Sequence, residues 1–269
     1  MSITNNIKEA DMQRMFCRER INLPDAVEYN YKASVLTIKI CALLCLVGIL
    51  QLLLVTPAHA WFDRTHLAIA KAAGYVRWYN AAGADQTLIK AGDIERYNHF
   101  FNNNDNAVVS SVLVLSQIKK YNDPNDTEGH LYGAVLHALR DHDAFQKPFY
   151  QMGYAVHYIG DLSQPMHNYQ PVNDPMFRQR HRANDGIVDH EVLDNIDEIK
   201  RYMYFIGLSA EPADFEQSLA KEIARIANIS RELSNTLKNE NRNLTRDEAY
   251  RQLGHSASLI RALLNRYGF

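Results

Sequence analysis

Cysteine is confined to the beginning of the chain. The three cysteines of the 269-residue sequence are Cys17, Cys41 and Cys45, so all later residues lack thiols. The later part cannot be stabilised by disulfides, which are the usual device of small exported domains. Any metal ion bound there must take its ligands from histidine, from carboxylates or from backbone atoms.

Runs of basic residues and alternating apolar patterns are also missing. From Trp61 onward the chain has 23 Lys and Arg residues against 26 Asp and Glu residues, without a basic cluster. This balance disfavours a surface that binds nucleic acid through many phosphate contacts. No stretch shows the alternation of a half-buried strand, and there is no internal repeat.

One apolar run is present, but it is short. Residues 40–55 include a single polar residue; Lys32 and Lys39 precede them, and an Ala-x-Ala sequence ending at Ala60 follows. This arrangement is typical of a secretory signal peptide, so we predict cleavage after Ala60. An uncleaved N-terminal anchor is the alternative interpretation, which the length disfavours because spanning a bilayer takes about 20 residues.

The apolar run divides the chain into three parts. Residues 1–35 are an N-terminal extension, which we expect to be disordered or to result from a start codon assigned too far upstream. Residues 36–60 are the signal segment. Residues 61–269 are long enough to form one domain with a sizeable core, and we expect this domain to be secreted or periplasmic.

The domain is predicted to be a single compact all-α bundle of six to eight helices. Helical spacing of apolar residues and helix-forming composition support this prediction. Asp214 and Gln217 are spaced like a capping box. Residues 98–106 and 168–187 are predicted to be loops. The predicted helices cover residues 65–73, 84–94, 107–121, 131–139, 149–161, a segment near 190, 214–237 and 245–267.

Residues 154–167 carry the most distinctive polar pattern. His157 and Asp161 are four residues apart and therefore share one face of a predicted helix, and His167 follows shortly after Pro165. Two imidazoles and a carboxylate among apolar neighbours are suited to zinc, which binds histidine nitrogen and carboxylate oxygen. A buried His–Asp hydrogen bond that supports a helix turn is the alternative.

Further pairs of ligand type occur outside this stretch. His190 and Asp194 repeat the same spacing, and Asp93 and His99 flank a predicted turn. His66 lies five residues after Trp61, whose amino group would become free on cleavage and could bind a metal. Taken singly, each of these residues could equally be an ordinary core or surface residue.

Together, these residues resemble the zinc-dependent phospholipase C and single-strand-specific nuclease superfamily. The most specific match is the segment 157–167, His-Tyr-Ile-Gly-Asp-Leu-Ser-Gln-Pro-Met-His. The resemblance implies an all-α domain that begins at a mature tryptophan and binds three zinc ions. The implied ligands are Asp93, His99, His157 and Asp161 for one ion, His167, His190 and Asp194 for a second, and the Trp61 amino nitrogen and carbonyl oxygen, His66 and the bridging Asp161 for a third.

One ligand of this set has an alternative. The interval from Asp93 to His99 is shorter than the family pattern, and Asp85 is the alternative ligand. The remaining histidines match no part of the motif and are predicted to be structural or surface residues. They are His130, His137, His142, His181 and His255.

The resemblance implies hydrolysis of a phosphodiester, in which Asp161 bridges two ions and Asp93 orients the attacking water or accepts its proton. It leaves the substrate open. Tyr158, Gln164 and the acidic balance favour cleavage of phospholipid headgroups. The short interval between Trp61 and His66, the wide interval between His167 and His190, and aspartate rather than glutamate at position 194 favour single-stranded nucleic acid.

The sequence offers one candidate residue for contact with the substrate. Phe100 is a candidate substrate-binding residue, because its ring could stack on a base or line a headgroup pocket. A phospholipid substrate would involve contact with a membrane surface, and no protein partner is implied. A non-catalytic domain that retains zinc for folding is the third interpretation.

Overall fold

The computed structural model describes residues 39–40, 61–91, 93–123, 125–144, 148–170, 174 and 176–269. The predicted extension and signal segment, apart from Lys39 and Ile40, lie outside the described residues. The chain divides into two compact units, Met1–Pro57 and Ala58–Phe269, and the second contains the candidate site. No helix in the described ranges is both long and apolar enough to cross a membrane.

The described part of the second unit contains α-helices and no strand, which confirms the all-α prediction. Three short 3-10 segments, Trp78–Ala82, Gln117–Lys120 and Pro165–His167, connect longer elements. The helices are α1 (Asp63–Ala73), α2 (Gly83–Ala91), α3 (Asp93–Arg96), α4 (Ser111–Ser116), α5 (Leu131–Ala144), α6 (Pro148–Leu162), α7 (Phe177–Asp185), α8 (Ile196–Arg201), α9 (Pro212–Asn239) and α10 (Arg246–Tyr267).

Local capping interactions set several helix boundaries. Helix α1 ends at Gly74, whose φ of 86° suits glycine at a helix C-terminus. Helix α4 begins later than predicted because the side chain of Ser110 accepts a hydrogen bond from the backbone N–H of Leu113. Helix α10 begins after Thr245, which forms a capping box with Glu248.

The long helix α9 begins differently from the prediction. Pro212 is its first residue and Glu211 its N-cap, without a side-chain capping bond, so the capping box expected at Asp214 and Gln217 is wrong. Proline is favoured at this position because its missing N–H would have no helical partner. The predicted apolar stripe does form the buried face of the helix: Leu219, Ile223, Ile226 and Leu237 are fully buried, and Ile229 and Leu233 are partly buried.

The loop predicted for residues 168–187 is also wrong over much of its length, because it contains α7. The helix has the sequence Phe-Arg-Gln-Arg-His-Arg-Ala-Asn-Asp, which is too polar to show an apolar period. Asp174 supports its first turn, since it accepts hydrogen bonds from the backbone N–H of Met176 and the guanidinium of Arg180. The helix expected near His190 does not form there; turns extend to Asp194, and α8 begins at Ile196.

Helix α6 lies at the centre of the domain. It packs against α1, α2, α5, α9 and α10 and against the segment Trp78–Ala82. The side chains of its second half, from Ala155 to Leu162, are buried. Polar residues in this half, His157 and Asp161, are therefore placed inside the domain, where they need polar partners.

Helix α5 packs closely against the 3-10 segment Gln117–Lys120. Gly133 stands on α5 where an added Cβ would overlap the backbone carbonyl of Gln117. We expect Gly133→Ala to lower the free energy of unfolding by about 1–3 kcal/mol, because the overlap outweighs the better helix propensity of alanine. Urea denaturation measures this change.

The matched control is Gly83→Ala in α2, where no atom lies within 4 Å of the added methyl group. Its φ of −65° and ψ of −35° are helical, so alanine should be neutral or stabilising by up to about 1 kcal/mol. Equal effects of the two substitutions on the free energy of unfolding would contradict a tight contact between Gly133 and Gln117.

Candidate metal centre

A fully buried carboxylate, Asp161 in the last turn of α6, lies at the centre of the site. Its Oδ1 atom is 3.2 Å from His66 Nε2 and 3.8 Å from His167 Nδ1. Its Oδ2 atom is 3.0 Å from His99 Nδ1 and 3.5 Å from His157 Nε2. Each oxygen thus faces a different pair of imidazoles, an arrangement suited to a carboxylate that bridges two ions.

The four imidazoles come from separate elements of the fold. His66 belongs to α1, His99 follows α3, His157 lies one turn before Asp161 on α6, and His167 ends a 3-10 segment. Gly160 permits the close approach of α1, because an added Cβ would stand 2.5 Å from His66 Nδ1. The rings of His66 and His157 consequently stack with centroids 3.8 Å apart.

The first group of candidate ligands consists of Asp85, His99, His157 and Asp161. His157 Nε2 lies 3.2 Å from His99 Nδ1 and 3.6 Å from Asp85 Oδ1, and the last two atoms are 3.8 Å apart. Zinc bonds of about 2.0–2.1 Å in a tetrahedron place ligand atoms about 3.4 Å from each other. The separations within this group therefore correspond to the edges of one coordination sphere.

Asp85 contributes the second carboxylate of this group. It lies on α2, which packs against α6, whereas the preferred candidate, Asp93, is the first residue of α3. The side chain of Asp93 lies outside the described residues, so its ligand role stays a prediction. The contacts with His99 and His157 favour the alternative, Asp85.

The second group consists of three buried residues, His167, His181 and Asp185. His181 Nε2 is 2.9 Å from His167 Nε2 and 3.6 Å from Asp185 Oδ2. The other oxygen of Asp185 accepts a hydrogen bond from the side-chain amide of Gln164. Helix α7 therefore presents two ligand-type side chains to the end of the 157–167 segment.

This group corrects the second set of predicted ligands. His190 has 77% of its side chain exposed and contacts Glu191, and Asp194 is exposed as well. Both lie in the turns after α7, and neither belongs to a described group of converging ligand atoms. His181 and Asp185 have the same His-x-x-x-Asp spacing; the sequence predicts a structural or surface role for His181, whereas the structure buries it beside His167 and Asp185.

His66 and Trp61 occupy the remaining side of the cluster. His66 converges with Asp85 and His157 and also faces Asp161. Trp61 is fully buried, and its indole N–H donates to Ser163 Oγ at 3.2 Å, two residues beyond Asp161. The tryptophan is therefore anchored beside the bridging carboxylate, while metal binding by its amino group and carbonyl stays a prediction.

Several buried polar atoms of the cluster have no hydrogen-bond partner. They include both nitrogens of His66, Asp161 Oδ1, His167 Nδ1 and Asp185 Oδ2. Leaving a buried polar group unsatisfied costs about 1–3 kcal/mol. Because these atoms converge in small groups without cysteine, a cation would satisfy them together, and the donor set fits a metal bound by nitrogen and oxygen.

The electrostatics of the cluster favour ligation at His157, His167 and Asp161 but oppose it at His99. Burial lowers the pKa of His157 and of His167 to about 4, so both imidazoles keep a lone pair at neutral pH. Burial opposes ionisation of Asp161, but His157 and His66 outweigh it and hold its pKa below the ordinary value. Burial likewise lowers the pKa of His99, but Asp161 and Glu95 outweigh it, so the net pKa is raised and a metal must displace a proton there.

The predicted substrate residue Phe100 lies next to this site and is partly buried. Its ring packs edge-on against Tyr97 with centroids 5.8 Å apart, and an added Cβ at Gly129 would overlap it. Gly129 has a φ of 84°, which suits glycine at this close approach. The ring thus has a packing role, and its contact with substrate stays a prediction.

The other histidines, His130, His137, His142 and His255, are outside the groups of converging ligand atoms found among the described residues.

Comparisons of the chain with protein-family models, with curated proteins and with solved structures give no match. The function must therefore be inferred from the residues and their geometry.

The revised second group is tested by a matched pair of histidine substitutions. We expect His181→Ala to lose about one zinc ion per chain after equilibration and gel filtration, because it removes the central nitrogen of a three-residue group. His190→Ala should keep the wild-type metal content, since that side chain is exposed. Elemental analysis checks both, and loss of metal from His190→Ala alone would contradict the revised assignment.

Proposed function

We propose that the domain is a zinc-dependent phosphodiester hydrolase. The observation that carries this proposal is the buried carboxylate of Asp161, whose two oxygens face separate pairs of imidazoles. Structural zinc sites are closed and usually contain cysteine, whereas this cluster is made only of histidine and aspartate. The non-catalytic interpretation is therefore less well supported.

We infer three zinc ions from the resemblance and from the grouping of the ligands. Asp85, His99, His157 and Asp161 would hold the first ion, and His167, His181 and Asp185 the second. His66 and the bridging Asp161, with the amino nitrogen and carbonyl oxygen of Trp61, would hold the third. Nitrogen and carboxylate ligands in small buried groups are consistent with zinc.

The protein residues around the cluster would divide the chemical work. Bound zinc lowers the pKa of a coordinated water to about 7 and neutralises charge on phosphate oxygens. Asp161 holds the ligand groups at a fixed separation, and the low pKa of His157 and His167 keeps both imidazoles neutral. Asp85, which contacts His99 and His157, could orient the attacking water or accept its proton, the role that the resemblance gives to Asp93.

For the substrate, we propose cleavage of phospholipid headgroups in the manner of a phospholipase C. The excess of acidic residues disfavours a polyanion. The wide His167–His190 interval that favoured a nuclease no longer applies once His181 replaces His190. Tyr158 and Gln164 contact Glu95 and Asp185, so these two signature residues serve the metal centre and no longer distinguish between substrates.

The proposal extends to where the protein acts. A domain of this kind would be exported through the predicted signal segment, begin at Trp61 after cleavage and act at a membrane surface. Hydrolysis of single-stranded nucleic acid on the same scaffold is the outcome that the substrate test must distinguish.

The test is a side-by-side assay of zinc-replete protein beginning at Trp61. We expect release of phosphocholine from phosphatidylcholine vesicles and little cleavage of single-stranded DNA. Asp161→Asn should lower the rate at least about 100-fold, because it weakens binding of two ions at once. His190→Ala is the matched control and should retain the wild-type rate, because His190 is exposed and lies outside the described groups of converging ligand atoms.

Two results would contradict parts of the proposal. Cleavage of DNA but not of lipid would show that the substrate is single-stranded nucleic acid, and would leave the proposed phosphodiester hydrolysis unchanged. If folded protein with bound zinc cleaved neither substrate, the domain would belong to the non-catalytic class.

A further inference from the structure

A second buried carboxylate, Glu95, lies behind His99 on the side away from the ligand cluster. It is four residues before His99 and only 4% exposed. Its Oε1 atom is 3.4 Å from His99 Nε2, an ion-pair contact that lacks the alignment of a hydrogen bond, whereas His99 Nδ1 faces Asp161, His157 and Asp85. The two nitrogens of one imidazole therefore point to different partners.

The other contacts of Glu95 show that its oxygens act as acceptors. The hydroxyl of Tyr158 donates to Oε1 at 2.5 Å, and the side-chain amide of Asn98 donates to Oε2 at 3.1 Å. The same amide also donates to Asn122 Oδ1 at 2.9 Å, which fixes its orientation. A carboxylate held by two donors in this way keeps a fixed position and can accept a further hydrogen from His99.

A polar group also lies behind the ring of His157, where the contact is a hydrogen bond. The Nδ1 atom of this imidazole donates to the backbone carbonyl of Ala81 at 2.6 Å, and its Nε2 atom faces the cluster. A hydrogen bond at one nitrogen of an imidazole determines that the other carries the lone pair. For His99 the group behind the ring is a carboxylate, which raises the basicity of the ligating nitrogen more than a carbonyl does.

We propose that Glu95 is a positioning residue for metal binding by His99. It holds the proton on Nε2, directs the Nδ1 lone pair into the group with Asp85, His157 and Asp161, and increases the affinity of that group for zinc. Glu95 is not itself a ligand of this group, because it contacts the opposite nitrogen of the ring. The inference rests on the proposed metal centre but not on any substrate.

The test measures zinc affinity by competition with a chromophoric chelator, together with the visible absorption of the cobalt-substituted protein. We expect Glu95→Gln, which keeps size and removes charge, to weaken zinc binding about 10- to 100-fold and to shift the cobalt spectrum. Ser230→Ala is the matched control: it removes a buried hydrogen bond between α9 and α10, from Ser230 to Gln252, that involves no candidate ligand. The control should leave both readouts unchanged.

A second measurement on the wild-type protein does not depend on the folding of a variant. Nitrogen NMR of the zinc-loaded protein should show His99 protonated at Nε2 and metal-bound at Nδ1. Metal at Nε2, or Glu95→Gln that binds zinc with wild-type affinity and an unchanged cobalt spectrum, would overturn the role of Glu95 alone. If wild-type protein bound no zinc at this cluster, the proposed function would fail as well.

Discussion

The structure depends on the burial of one carboxylate among imidazoles. An ionised aspartate without partners would be strongly disfavoured inside a domain, and burial by itself would raise its pKa. At Asp161 the surrounding histidines reverse this effect and lower the pKa. Helix α6 must therefore hold Asp161 where α1, the segment after α3 and the chain after Pro165 can all deliver a histidine, and this requirement fixes how these elements meet.

Residues beside the ligands are used to support them. Gly160 makes room for His66, Ser163 binds the indole of Trp61, and Gln164 binds Asp185. Glu95 and the carbonyl of Ala81 lie behind two of the imidazoles. The segment from Gly160 to Gln164 thus does more than carry a ligand, because it connects the groups of the cluster to one another through short contacts.

The sequence predicted the helical class and the central residues of the site, because His157, Asp161 and the nearby His167 are constrained by local spacing. It failed where tertiary packing decides. The helix that carries His181 and Asp185 is too polar for an apolar period to reveal it, and spacing alone does not distinguish this buried pair from the exposed pair His190 and Asp194. The contacts of Asp85 with His99 and His157 depend on the packing of α2 on α6, which sequence spacing does not contain.

We propose that Asp161 bridges metal ions inside this domain. The direct measurement is anomalous scattering at the zinc absorption edge from crystals of the zinc-equilibrated protein. We expect strong peaks about 2 Å from each carboxylate oxygen of Asp161, with a further peak between His167, His181 and Asp185. A fully zinc-equilibrated crystal with no peak at Asp161, or with peaks only at surface residues such as His190, would contradict this proposal.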